Sequence, residues 1–192
     1  MRIRIVLTGL LIAALPAVAA DLPESAKAKA VAGDVLKETR SVLEGALAGG
    51  APAVNALRVC ASVAQDLARK HEQEGWRVRR ISEKYRNPAD APDAGEHTVL
   101  ERWAKAQGAG ALKPTEEYGE VITENGQRYY RYMRPIFIAG PMCLQCHGAP
   151  DKLAPGVREA LQALYPDDRA TGYAVGDLRG AISVKIPLAT DR

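Results

Sequence analysis

The sequence predicts an α+β fold in which helices come first and an antiparallel sheet with inserted helices follows. Three observations carry this. The early part of the 192-residue chain spaces its apolar residues three and four apart. Its later part alternates apolar with polar residues, and Asn125-Gly126 stands between two such stretches as a hairpin turn. A chain of this length forms one compact domain and buries an adequate core without disulfide staples. Aromatic residues make up only 5%, so that core leans on Ala, Val, Leu and Ile.

The elements follow in order. Met1–Arg4 is short and basic, and an apolar run from Ile5 to Val18 leads into Ala17-Val18-Ala19-Ala20. The run is shorter than the roughly 18–20 apolar residues that span a bilayer. It reads as a cleavable signal peptide over residues 1–20, with an uncleaved anchor as the alternative. No later segment is apolar enough to cross a membrane. The expectation is an exported, periplasmic protein whose single domain covers 21–192, without stable membrane insertion. The formal charge of +3 includes Arg2 and Arg4. Without them the chain is close to neutral, which gives no electrostatic case for binding nucleic acid or anionic membranes.

Ser25 is placed to cap a first helix over 26–48, ended by Gly49-Gly50. Pro52 suits the first turn of a second helix over 51–73, closed by Gly75. Its residues Val54, Leu57, Cys60, Ala64, Leu67 and Ala68 form one stripe, which points Cys60 inward. Residues 76–82 read as a strand, and Asn87 to Gly95 is turn chemistry throughout. A helix over 96–107 presents Val99, Leu100 and Trp103. Strands over 119–123 and 128–138 flank the hairpin turn, and a loop holding two cysteines follows. A short helix over 155–164 and a strand over 180–187 complete the chain. There is no internal repeat.

Cys143-Leu144-Gln145-Cys146-His147 is the attachment pattern of a c-type haem. Two thiols three residues apart reach two vinyl groups on one edge of a porphyrin and form thioether bonds. The next histidine is then carried under the iron as proximal ligand, and Gly148 gives the backbone room to turn beside the macrocycle. Three readings compete. A zinc half-site lacks a second ligand pair nearby. A thiol-redox pair opens a helix after an early strand, whereas this motif comes late, in a loop. A plain disulfide across two residues is strained. An exported chain with three cysteines leaves one thiol over, and a single haem c accounts for two of them.

One motif means one haem, and interest moves to the sixth iron position. The candidates are Cys60, Met133, Met142, His71 and His97. Met142 adjoins Cys143 and reaches the opposite haem face with difficulty. Met133 lies on a strand, where core packing is the plainer reading, and the two histidines read as surface residues. The residues alone leave Cys60 open between an inert buried thiol and the distal ligand.

Four blocks resemble a known family: Asn55–Cys60; Arg79–Asp93, with its Arg86-Asn87-Pro88 and Pro92; Cys143–Gly148; and Gly176–Val184. The chain is similar to periplasmic single-haem c-type proteins with a PAS-like fold, a domain also found at the front of some bacterial histidine kinases. The resemblance implies haem bound through Cys143, Cys146 and His147, with Cys60 as distal iron ligand. One position departs from the family pattern: Gly95 stands where an aromatic is usual. Arg79, Arg80 and Arg86 suit haem propionates, although a solvated basic strand is the plainer reading. Tyr129, Tyr130 and Tyr132 read as strand packing.

With both axial positions filled, no substrate site stays open, and a thiolate favours ferric iron. The expected function is therefore one-electron transfer with an unidentified periplasmic partner, not enzymatic catalysis. The alternative is a redox or diatomic-gas sensor that signals to a partner protein by losing Cys60. A haem-free thiol oxidoreductase using Cys143 and Cys146 ranks third. Whether the chain forms a homodimer through its first helix is left open.

Overall fold

The computed structural model describes residues 22–73 and 75–189. The expected signal peptide lies outside the described residues. Two helices, α1 (Pro23–Ala46) and α2 (Ala53–Lys70), precede strand β1 (Arg77–Ile81). Helix α3 (Ala94–Gly108) leads to the hairpin β2 (Tyr118–Glu124) and β3 (Gln127–Phe137). Short helices α4 (Pro141–His147) and α5 (Val157–Leu164) come before β4 (Leu178–Pro187). The four strands form one antiparallel sheet in the order β1-β4-β3-β2. The fold is α+β and PAS-like, as the sequence predicts. Among the described residues, no helix is long and apolar enough to cross a membrane.

Helix α1 starts earlier than a Ser25 cap would place it. Pro23 occupies the first turn and Leu22 is the N-cap, without a side-chain cap. Proline suits that position because its φ is already helical and its missing N–H would find no intrahelical partner. Pro52, by contrast, stands just outside α2 as its N-cap. Gly49 and Gly50 take φ of 67° and 76° between the two helices, a left-handed path that stops α1. The hairpin turn is as expected, with Asn125 at φ 50° and Gly126 at 80°.

The period-two alternation of the strands splits the core into two. On one sheet face, Ala28, Ala32 and Val35 of α1 and Ala68 of α2 cover Val78, Tyr130, Tyr132, Ile182, Val184 and Ile186. On the other, Val99, Leu100 and Trp103 of α3 cover Ile81, Met133 and Ala181. Asp93 and Glu96 close a reciprocal capping box at the start of α3, which fixes where the helix begins. A third cluster forms away from the sheet. Ala53 and Leu57 of α2 pack on Val157 and Leu161 of α5, with Cys146 and Tyr165 at its edge.

Two local features turn this frame toward a site. At the end of the β3–β4 ladder the register shifts: Ile136 faces Gly180, but Phe137 faces Leu178, so Arg179 has no strand partner. A bulge of this kind bends its strand and re-aims side chains. The family-atypical Gly95 has a local cause as well. A Cβ there would lie 2.0 Å from Arg131 Nη1. The Arg131 side chain, only 5% exposed, fills that space and pairs with Asp93 at 2.7 Å and with Glu120 at 3.4 Å.

Candidate haem site

The cysteine motif is helical, not a loop. Gly140-Pro141 and Gly148, which punctuate the sequence around it, are its helix boundaries, with Pro141 in the first turn and Gly148 as C-cap. Gly148 is required by a neighbour other than a macrocycle: a Cβ would stand 2.6 Å from the Leu144 carbonyl oxygen. The argument that a loop location speaks against a thiol-redox pair therefore falls away.

Helices α2 and α4, the bulged end of β3–β4 and the start of the turn after β1 enclose a cleft that opens to solvent. Cys60 and Leu57 line it from α2, and Met142, Cys143, Cys146 and His147 line it from α4. Because of the bulge, Ile136, Phe137 and Ile138 all face the cleft despite strand alternation. The four residues expected as haem attachments and iron ligands thus share one cleft. Of the other sixth-position candidates, Met142 lines the same cleft next to Cys143, and the remaining three lie elsewhere. Met133 is buried under α3 on the opposite sheet face. His71 pairs with Glu38 between α2 and α1, and exposed His97 pairs with Glu83 and Glu101.

His147 is held at both ends. Its Nδ1 lies 2.7 Å from the Ala170 carbonyl oxygen. A carbonyl only accepts, so Nδ1 carries the proton and Nε2 presents its lone pair. Burial, reinforced by the Arg179 and Arg86 guanidinium groups, holds the imidazole well below its usual pKa and therefore neutral. Its backbone carbonyl accepts Tyr173 N–H at 2.9 Å, and Gly148 O accepts Gly172 N–H at 2.8 Å. Arg86 adds a clamp from the far side, donating to Cys146 O at 2.7 Å and to Asp168 Oδ1 at 3.1 Å. Asp168 Oδ1 in turn accepts Ala170 N–H at 2.9 Å. A neutral histidine whose second nitrogen is tied to a carbonyl is the arrangement metal-binding histidines use.

All three cysteines are free thiols. Burial pushes the Cys60 thiol up, opposed by Arg80 and Arg86. Burial also raises Cys146, with Arg86 opposing and Cys60 adding to the rise. This is the reverse of the lowered pKa that activates a redox-exchange cysteine. Among the described residues no group of three or more His, Cys, Asp or Glu stands close enough to hold a metal ion. The zinc reading therefore finds no ligand cage among the described residues.

The polar groups of the lining also look outward to something else. Thr39 Oγ1 and Arg179 Nε are buried without a hydrogen-bond partner among the described residues. Arg80, Arg86 and Arg179 face the cleft, whereas Asp90 is the carboxylate among its described lining residues. The arginines expected at this site are only partly there. Arg79 turns to α3 and donates to Glu96 and to the Ala89 and Ala91 carbonyls. Sequence reasoning missed Arg179, Asp168 and Ala170. A glycine directly after an arginine inside a strand, Arg179-Gly180, was the one signal available, since a mid-strand glycine marks bulges.

Fold and site together define a PAS-like domain with a ligand cleft walled by thiols and a tethered imidazole on one side and by arginines on another. The chain belongs to the Tll0287-like family, whose family model matches residues 19–187. The crystal structure of the cyanobacterial haem-protein Tll0287 matches it with a TM-score of 0.64 and 28% sequence identity, covering 89% of this chain and 99% of that one. No protein of curated function matched.

Proposed function

We propose that this chain is an exported, periplasmic monohaem c-type cytochrome that transfers single electrons to and from an unidentified partner. Cys143 and Cys146 would form the thioethers, His147 Nε2 would supply the proximal ligand, and Cys60 Sγ would supply the distal one. The observation that carries this reading is the shared cleft. Cys60 of α2 and Cys143, Cys146 and His147 of α4, distant in sequence, line one largely apolar cleft. The likeness to a cyanobacterial haem-protein supports it. A bound haem would supply a one-electron ferric/ferrous couple, its potential kept low by an anionic thiolate. The protein's own part is to fix the histidine tautomer through Ala170 O, to shut water out with Leu57, Ile136 and Phe137, and to present the Cys60 thiol.

The test is expression with c-type maturation machinery, followed by a pyridine haemochrome assay and low-temperature electron paramagnetic resonance. The expected result is one haem c per chain and a low-spin ferric signal of narrow g-spread, lost in Cys60→Ala. A high-spin signal, or a low-spin signal indifferent to Cys60, overturns the thiolate assignment. Ready carbon monoxide binding on reduction would favour the sensor reading.

A further inference from the structure

We propose that Arg179 and Arg80 form the carboxylate-binding end of the cleft and receive the propionates of the bound tetrapyrrole. The proposal rests on the haem reading above and adds the residues that orient the group.

Arg179 is only 8% exposed. Its Nη1 is committed, donating to Ser82 Oγ at 2.7 Å and to Lys84 O at 3.1 Å. Its Nε, on the opposite edge of the guanidinium, is buried and has no partner among the described residues. The Arg179 side chain also lines the cleft, and a guanidinium is suited to pair with carboxylates. A buried cation is costly unless it is paired; Arg80 and Arg86 oppose the Arg179 charge, Asp90 favours it, and Arg179 forms no ion pair among the described residues. The Tyr173 ring, its centroid 5.6 Å from Cζ, offsets only part of this.

Elimination then separates the arginines. Arg86 is paired bidentately with Asp168 and bound to Cys146 O. Arg79 is spent on α3 and its turn. Arg80 lines the cleft, on the sheet face that carries Val78 and Ile182, and forms no hydrogen bond or ion pair among the described residues. Two guanidinium groups without a carboxylate partner among the described residues therefore border an apolar cavity that also holds the thiols and the imidazole. An amphiphilic dianion with a flat apolar body matches this: two carboxylates at the arginine end, the macrocycle between α2 and the sheet. The β4 bulge is what aims Arg179 there, and Gly180 permits it, because a Cβ at 180 would lie 2.1 Å from Ile81 O.

The experiment uses the haem-loaded full chain and compares wild type with Arg179→Gln, Arg179→Lys, Arg80→Gln and, as control, Arg79→Gln. Haem content comes from the pyridine haemochrome, midpoint potential from spectroelectrochemistry, and propionate hydrogen bonding from the resonance Raman bending mode. An uncompensated unit charge roughly 10 Å from a redox centre shifts its equilibrium about tenfold at an effective dielectric near 20. Arg179→Gln and Arg80→Gln are therefore each expected to shift the ferric/ferrous ratio about tenfold toward ferric and to move the Raman mode. Arg179→Lys restores most of the shift, and Arg79→Gln changes neither readout. Arg80 is half-exposed, so its variant folds even where Arg179→Gln does not. Unchanged potential and Raman mode in Arg80→Gln and Arg179→Gln, with haem c attached, overturn the proposal alone. So does a wild-type potential that varies with added inorganic phosphate, which assigns the arginines to a free anion. Absence of haem c from wild type overturns the haem reading itself.

Discussion

Removing the Asp168 carboxylate tests whether the clamp on His147 is held by charge. The Asp168 and Arg86 side chains are 9% and 11% exposed. They meet through two contacts at 3.1 and 3.3 Å, and Asp168 also accepts Ala170 N–H at 2.9 Å. Asp168→Ala leaves a buried guanidinium without its counter-ion, a change that costs about 3–5 kcal/mol. Asp168→Asn can keep one oxygen that accepts from Ala170 N–H and Arg86 Nε but turns an NH2 donor toward Arg86 Nη2, so it loses a charge-assisted hydrogen bond, about 1.5–3 kcal/mol. For a chain of this size each kcal/mol lowers Tm by roughly 2–4 °C. The assay is urea unfolding of both variants followed by circular dichroism, with Arg86→Leu and the double variant completing the cycle. The two substitutions should be non-additive by about 0.5–3 kcal/mol. The loop should loosen with them, so amide exchange at Gly172 and Tyr173, whose N–H groups donate to Gly148 O and His147 O, should rise first. A loss below about 1 kcal/mol in Asp168→Ala, or strict additivity with Arg86→Leu, would refute the reasoning, because a water-screened pair behaves that way.

Two further outcomes follow from the same geometry. Gly95→Ala forces Arg131 out of a space it shares with no alternative side chain, and overpacking of this kind costs about 1–3 kcal/mol by urea unfolding; a loss under about 0.5 kcal/mol means that Arg131 relocates freely. His97 has its pKa raised, chiefly by its hydrogen bond to Glu83. Its stabilisation is therefore fully present below the unfolded histidine value near 6.5 and fades as pH rises through the higher folded value. The stability difference between wild type and His97→Gln should be largest near pH 5.5 and vanish by about pH 8.5; a difference that grows with pH contradicts the pairing.

The parts of this molecule legible in its sequence are those governed by local rules. Helix periodicity located α1, α2 and α3 because one stripe of each is buried, and Asn125-Gly126 located the hairpin because both residues accept positive φ. The same local rules misplaced α4. Pro141 and Gly148 are ambiguous punctuation, since proline and glycine flank short helices as readily as they flank loops. The thiol and imidazole residues were legible as a motif, but their approach to Cys60 was not, because it depends on how α2 packs against α5 and the sheet edge. Arg179 was hidden for a related reason. A bulge is a relation between two strands, and one strand's alternation carries no trace of it beyond Gly180.

The two sides of the cleft are fixed by different physics. On the α4 side, directional bonds hold the imidazole and its backbone: Ala170 O, Tyr173 N–H, Gly172 N–H and Arg86 all converge on Cys146, His147 or Gly148. Such bonds specify position and tautomer, and each has a single satisfied geometry. On the α2 side, Cys60 follows Ala53, Ala56 and Leu57 along one stripe, and this part of the helix is seated by small apolar side chains against α5. Nonpolar contact is non-directional, so it fixes the helix's depth in the core more firmly than its rotation or slide. Small residues on that stripe also bring the α2 backbone close, which lets a side chain as short as cysteine reach the cavity. The histidine is thus anchored through the sheet-side loop, whereas the thiol rides on a helix that α1 and α5 hold by shape. Any motion that separates the imidazole from the Cys60 thiol moves α2, because motion of α4 must break several hydrogen bonds at once.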